Sequence, residues 1–168
     1  MDQAMTEKCE AYLDIETTGL SPEYCPITVI GIHRCNGNSE EFIQLVGDRI
    51  TPESLLQALD GVETVYTFNG ERFDLPYIKT RLGVDLVEEG FAHCDLMHRC
   101  HRKGLRGGLK KIEVMLGIGR NLPGVNGYHA VRLWWQYVNN YDEEALKSLL
   151  EYNKEDTINL KTLRELIA

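Results

Sequence analysis

The sequence predicts an α/β domain built on a mixed, five-stranded sheet, and three observations carry that expectation. Three β-rich stretches with hairpin spacing open the chain, strand-like and helix-like stretches then alternate, and helical periodicity closes it. From Cys9 to Glu16 the residues alternate, with Cys9, Ala11, Leu13 and Ile15 facing one way and Glu10, Tyr12, Asp14 and Glu16 the other, the period of two that belongs to a strand. Ile27–Cys35 and Glu40–Val46 are also strand-like, and the Cys-Asn-Gly-Asn-Ser run between them is a hairpin signal, so the first three strands form an antiparallel meander.

Thr51-Pro52-Glu53-Ser54 has the form of a helix start, with Thr51 as cap and Pro52 in the first turn. Leu55, Leu56 and Leu59 give that helix its apolar face, and it stops near Gly61. Glu63–Phe68 then reads as a strand, Leu75–Leu82 as a helix closed by Gly83, and Phe91–Cys94 as a short strand, the later strands joining the sheet in parallel. Helices follow at Leu109–Leu116, at Val131–Val138 and from Asp142 to Ile167, the last carrying Leu146, Leu149, Leu150, Leu160 and Leu163.

A chain of 168 residues suits one domain spanning 1–168. No apolar run is long enough to cross a bilayer, and Met1–Glu10 carries acids where a signal peptide has a basic start, so a cytoplasmic protein without membrane contact is expected. The five cysteines are odd in number and irregularly spaced, which predicts free thiols. A formal charge of -8 excludes nonspecific affinity for nucleic acid over the whole surface, yet it is compatible with a carboxylate site that cations neutralise. Between Leu96 and Ile112 there is no acid, while Arg99, Arg102, Lys103, Arg106, Lys110 and Lys111 crowd together. That stretch reads either as a phosphate-contacting arm or as a solvated loop with a helix face.

Asp14 and Glu16 lie two apart near the end of the first strand, so both side chains leave the same face and repel unless a cation lies between them. Asp74 stands at a strand-to-helix junction, where α/β sheets commonly place their sites. Asp156 follows Tyr152 by four residues on the last helix, which puts both on one helical face. Read singly, these are exposed acids and a core tyrosine; read together, they describe a cation site.

In order and spacing the segments resemble the three exonuclease motifs of the DEDD superfamily, which has the ribonuclease H-like fold and includes the proofreading exonucleases of DNA polymerases. Leu13-Asp14-Ile15-Glu16-Thr17-Thr18-Gly19-Leu20 is similar to the first motif, Asn69-Gly70-Glu71-Arg72-Phe73-Asp74 to the second and Tyr152-Asn153-Lys154-Glu155-Asp156 to the third. Within the superfamily the chain looks closest to the YprB-like group of predicted exonucleases. Tyr152 stands four before the last Asp, and Glu151 occupies the position where other members carry His, so the resemblance is to the tyrosine type.

The resemblance implies 3′–5′ hydrolysis of DNA or RNA, nucleoside 5′-monophosphates as products, and Asp14, Glu16, Asp74 and Asp156 holding two Mg²⁺ or Mn²⁺ ions, with Asp14 shared between both. It also implies that Tyr152 orients the attacking water, that Thr17 and Leu20 meet the terminal nucleotide, and that Asn69 positions the substrate. From the residues themselves, Lys110 and Lys111 head a helix whose N–H groups can grip a phosphate, and Asp95 reads as a structural or ligand-supporting acid. Two rival functions share the fold: an endonuclease acting within hybrids or at junctions, and a nucleic-acid-binding module without catalysis. His93, Cys94, His98, Cys100 and His101 offer zinc-like ligands, but their spacing fits no zinc motif, and buried cysteines with surface histidines are the expectation there.

Overall fold

The computed structural model describes residues 8–168. Its sheet has the order β3-β2-β1-β4-β5, built from β1 (Cys9–Thr17), β2 (Ile27–Asn36), β3 (Ser39–Val46), β4 (Thr64–Thr67) and β5 (Ala92–Asp95). β1, β2 and β3 form the antiparallel meander, and β4 and β5 run parallel to β1. The predicted mixed sheet is therefore present, with the carboxylate-bearing strand at its centre. The seven helices are α1 (Pro52–Ala58), α2 (Asp74–Leu82), α3 (Leu96–Arg102), α4 (Leu109–Leu116), α5 (Gly127–Asn140), α6 (Glu143–Leu166) and a 3₁₀ turn at Gly47–Arg49 that keeps no number.

Both faces of the sheet are covered. On one, Ala11, Leu13, Ile15, Ile30, Ile32 and Val65 pack against Leu55 of α1, Leu59 just after it, and Tyr77 and Ile78 of α2. On the other, Tyr12 and Tyr66 pack against Leu160 and Leu163 of α6, with Leu96, Cys100 and Ile112 closing the edge. The β1 alternation read from sequence holds, but its second face is covered as well: Tyr12 and Glu16 are buried beneath helices rather than facing water.

Local chemistry sets the helix ends. Thr51 caps α1, accepting from Ser54 N while the Ser54 hydroxyl accepts from Thr51 N, a reciprocal pair that satisfies two otherwise free donors. Two helices differ from expectation. α3 is a short helix in the basic stretch, started by Asp95, whose carboxylate accepts from Met97 N; it buries only Leu96 and Cys100, too few positions to mark it by periodicity. α5 begins four residues before Val131 because Asn126 caps it, and its first turn, Gly-Tyr-His, carries no apolar signal.

The placement of α6 rests on a missing side chain. Gly31 of β2 pairs with Asp14 of β1 and with Gln44 of β3, so the three share one row across the sheet on the face that α6 covers. A Cβ on Gly31 would lie 2.5 Å from Thr157 Oγ1 and closer still to Asn153 Oδ1. The helix descends into that gap, and Asn153 joins the row: Gln44 Nε2 donates to its Oδ1 at 3.0 Å, and its Nδ2 donates to Asp14 O at 3.2 Å and Oδ2 at 3.3 Å. Gly31→Ala is expected to lift α6 and cost about 1–3 kcal/mol, the usual range for overpacking. Denaturant unfolding measures it, and an unchanged midpoint would show that the helix seat yields freely.

Candidate active site

The C-terminal ends of β1, β4 and β5 converge at one edge of the sheet, and the predicted acids gather there. Asp14 and Glu16 leave β1 toward α6. Asp156 comes down from α6, and one oxygen from each of Asp14, Glu16 and Asp156 lies within 4.8 Å of the others. Asp74 opens α2, and its Oδ1 accepts from Ile15 N at 3.1 Å, which ties it to the strand between the other two acids.

The loop that delivers Asp74 is tightly built. Asn69 adopts a left-handed conformation, φ 61°, and its N–H donates to Asp95 Oδ1 at 2.8 Å. Asp95 Oδ2 accepts from Glu71 N at 3.2 Å, so this acid is spent on the loop and on the α3 start. A Cβ on Gly70 would press into the Thr67 side chain, 2.7 Å from its Cγ2, so only glycine passes there without moving the strand.

Tyr152 lies one helical turn before Asp156, buried against Val29, Ala130 and Leu149. Its hydroxyl accepts from Lys110 Nζ at 2.7 Å, and the same ammonium stands 3.7 Å from Asp156 Oδ1. Lys110 is thus inside the site rather than on a surrounding surface. Thr17 turns its hydroxyl onto Gly19 O at 2.6 Å, and Leu20, 87 % exposed, projects from the following turn. The Tyr77 hydroxyl fixes that turn from beneath, 2.9 Å from both Gly19 O and Cys25 O.

The basic stretch does not act as a unit. Lys110 reaches the site, but Arg99 lines a cavity of about 530 Å³ with Glu10, Tyr12 and Arg164, near the start of β1, and Lys103 donates to Ala168 O at 3.4 Å. Arg99 and Lys103 therefore point away from the carboxylates, and of the residues placed here Lys110 alone joins them. The five histidines and cysteines of this region also part company: His93 meets Thr67 Oγ1 at 2.9 Å, His98 meets Glu71 Oε2 at 2.7 Å and Cys100 is sealed in the core. The cysteines are free thiols, as expected.

Several residues at the site were given no role by the motifs, Asn153 and Glu155 within the third one included. Asn153 and Gln44 hold Asp14, as described. Arg120, in the loop between α4 and α5, donates to Asp156 Oδ1 and to both oxygens of buried Glu113. Glu155 accepts from Asn121 N and Leu122 N, clasping the same loop to α6. The helical spacing of Tyr152, Glu155, Asp156 and Asn159 was a signal for such a stripe, but it does not say what an acid on it will meet.

Electrostatics mark the site as short of positive charge. Burial pushes the Glu16 carboxyl up to about 8, with the Asp156 charge adding to the effect. Burial takes Asp74 up to about 7 against the opposing bond from Ile15 N, and it takes Asp14 well above the usual carboxylate range, reinforced by Asp156, Glu16 and Asp74. Glu16 Oε1 is buried and has no hydrogen-bond partner among the described residues. An unpaired buried carboxylate oxygen beside two further carboxylates fits a hard divalent cation.

A five-stranded sheet of this order, flanked by helices and carrying acids at the end of its central strand, is a ribonuclease H-like domain. The chain belongs to the RNase H superfamily, whose family model it matches over residues 11–168. It is 33 % identical over 120 residues to the uncharacterized protein YprB of Bacillus subtilis (strain 168), covering 66 % of this chain and 29 % of YprB. It is 28 % identical over 161 residues to the uncharacterized protein MJ0365 of Methanocaldococcus jannaschii, covering 88 % of each. Among solved structures, the family B DNA polymerase of Pyrobaculum calidifontis shares the fold with a TM-score of 0.69 at 17 % identity, over 94 % of this chain and 24 % of the polymerase. Brucella melitensis NrnC shares it with a TM-score of 0.61 at 20 % identity, over 99 % and 74 %. The chain thus spans under a third of YprB and of the polymerase.

These shifts give a signed pH prediction. Acids whose folded pKa stands above the unfolded value hold protons more tightly when folded, so their contribution is complete below about pH 4 and is lost as pH rises through the folded values. In excess chelator the melting temperature is expected to fall between about pH 5 and about pH 8.5, following Asp74 and Glu16 at about 7 and about 8. Scanning calorimetry across that window checks it; a melting temperature that climbs with pH would contradict the assignment.

Proposed function

We propose that the protein is a divalent-metal-dependent 3′–5′ exonuclease of the tyrosine DEDD type, hydrolysing DNA or RNA from the 3′ end and releasing nucleoside 5′-monophosphates. One observation carries the reading: Asp14, Glu16 and Asp156 bring their oxygens within 4.8 Å of one another, with Tyr152 one turn away on the same helix. The fold likeness to NrnC, one structure of which is bound to pGG (TM-score 0.57 at 21 % identity), supports a nucleic-acid ligand.

Asp14, Glu16 and Asp156 would hold one Mg²⁺ or Mn²⁺, and Asp14 with Asp74 a second. When bound, such ions activate water and neutralise the charge that develops on the leaving 3′-oxygen. Asn153 and Gln44 keep Asp14 from turning away, and Ile15 N keeps Asp74 against the strand. Burial, with the nearby acids Asp156, Glu16 and Asp14, raises Tyr152 far above its ordinary value, so it works as a neutral hydroxyl and not as a base. Because its oxygen already accepts from Lys110, its own proton is left to orient the water. Exposed Leu20, in the turn after β1, would pack on the terminal base, with Thr17 bracing that turn and Asn69, in the loop before Asp74, positioning the substrate.

The test is a set of 5′-labelled and 3′-labelled single- and double-stranded DNA and RNA substrates, incubated with Mn²⁺ and resolved by length. Stepwise shortening from the 3′ end, abolished by chelator, is expected; internal fragments would make the protein an endonuclease. Asp14→Ala should remove activity. Tyr152→Phe should retain Mn²⁺ binding while kcat drops about 100-fold; a wild-type rate in the Phe variant would return Tyr152 to the core.

A further inference from the structure

Arg120 is a buried cation that no motif assigns, and its surroundings are built with more care than a loop residue needs. Its side chain is only 6 % exposed. It grips Glu113 through Nε and through Nη2, the latter 2.9 Å from Oε1, and the same Nη2 reaches Asp156 Oδ1. Asn159 Nδ2 donates to Glu113 Oε1 at 3.2 Å and to Gly119 O at 3.4 Å, while Glu155 holds the next two backbone N–H groups. Two elements, α4 and α6, therefore fix the guanidinium from both sides. Its Nη1 is buried without a partner among the described residues, a cost that a purely structural ion pair has no reason to carry.

The geometry points to Arg120 as the positioning residue of the metal site: it pins Asp156 by Oδ1 so that Oδ2 is the oxygen presented to the cation, and Glu113 pins Arg120 in turn. Burial keeps Arg120 from the nucleic acid itself, so it acts through Asp156. The planar fork matters here and not the charge alone, because one guanidinium must meet two carboxylates in fixed directions. The inference rests on the cation site proposed above.

Arg120→Lys separates the two contributions, since it keeps the positive charge and loses the fork. Partners that orient metal ligands are typically worth about 10- to 100-fold in affinity, and Mn²⁺ titrated calorimetrically into Arg120→Lys is expected to show a Kd raised by that factor. Its melting temperature in chelator should stay near that of the wild type. Its kcat deficit at limiting Mn²⁺ should be recovered as Mn²⁺ is raised, which a merely structural defect would not show. Glu113→Gln, which loosens the grip from the far side, should move Kd in the same direction. Wild-type Kd in a folded Arg120→Lys protein overturns the inference, and so does loss of folding in both variants, which would make the pair a structural tie. A wild-type protein that binds no Mn²⁺ would instead overturn the cation site itself.

Discussion

The seating of α6 on β2 is the contact on which the rest of the site depends. The row Gln44, Gly31 and Asp14 is polar or empty on the face that α6 covers, and Asn153 fills the space with hydrogen bonds in place of methyl groups. Every bond in that row is directional, so the helix is held in rotation as well as in height. Apolar packing alone, as between Leu160, Leu163 and Tyr12 further along, would hold the helix close without choosing among nearby rotations.

Once that rotation is set, the charges follow. Four acids come to one edge of the sheet with Lys110 and Arg120 beside them, and Arg120 is already shared with Glu113. The site is therefore organised by backbone N–H groups, an amide and a guanidinium. Like charges at this separation do not assemble by themselves; the fold forces them together and leaves protons or metal ions to settle the balance.

Much of this was legible in the sequence, and the reasons are specific. The strand alternation at Cys9–Glu16 and the Asn-Gly turn fixed the meander, because a period of two and a short loop leave few alternatives. Asp14, Glu16, Asp74, Tyr152 and Asp156 were readable from spacing and from their resemblance to the exonuclease motifs. The short α3 and the early start of α5 were not, because capping by Asp95 and Asn126, and not periodicity, decides them. Arg120 and Glu113 were invisible for another reason: they are far from the motifs in sequence, and Arg120, held by Glu113, meets Asp156 only when the loop after α4 folds back on α6. The basic stretch left two readings open because composition says how much charge is present and nothing of which way each side chain turns; Lys110 and Arg99 go different ways.

The stripe Tyr152, Asn153, Glu155, Asp156 and Asn159 makes five attachments on two turns of one helix: a hydroxyl to Lys110, a tie to the sheet, a clasp on the loop, a carboxylate to Arg120 and a brace for Glu113. A helix advances about 100° per residue, so inserting or deleting one residue anywhere between Leu149 and Asn159 would swing part of this set away from the rest. Point changes in this segment can be absorbed one function at a time, whereas a change of length cannot. The helix is thus a reading frame as much as a scaffold, and its spacing constrains the chain more tightly than any single side chain on it does.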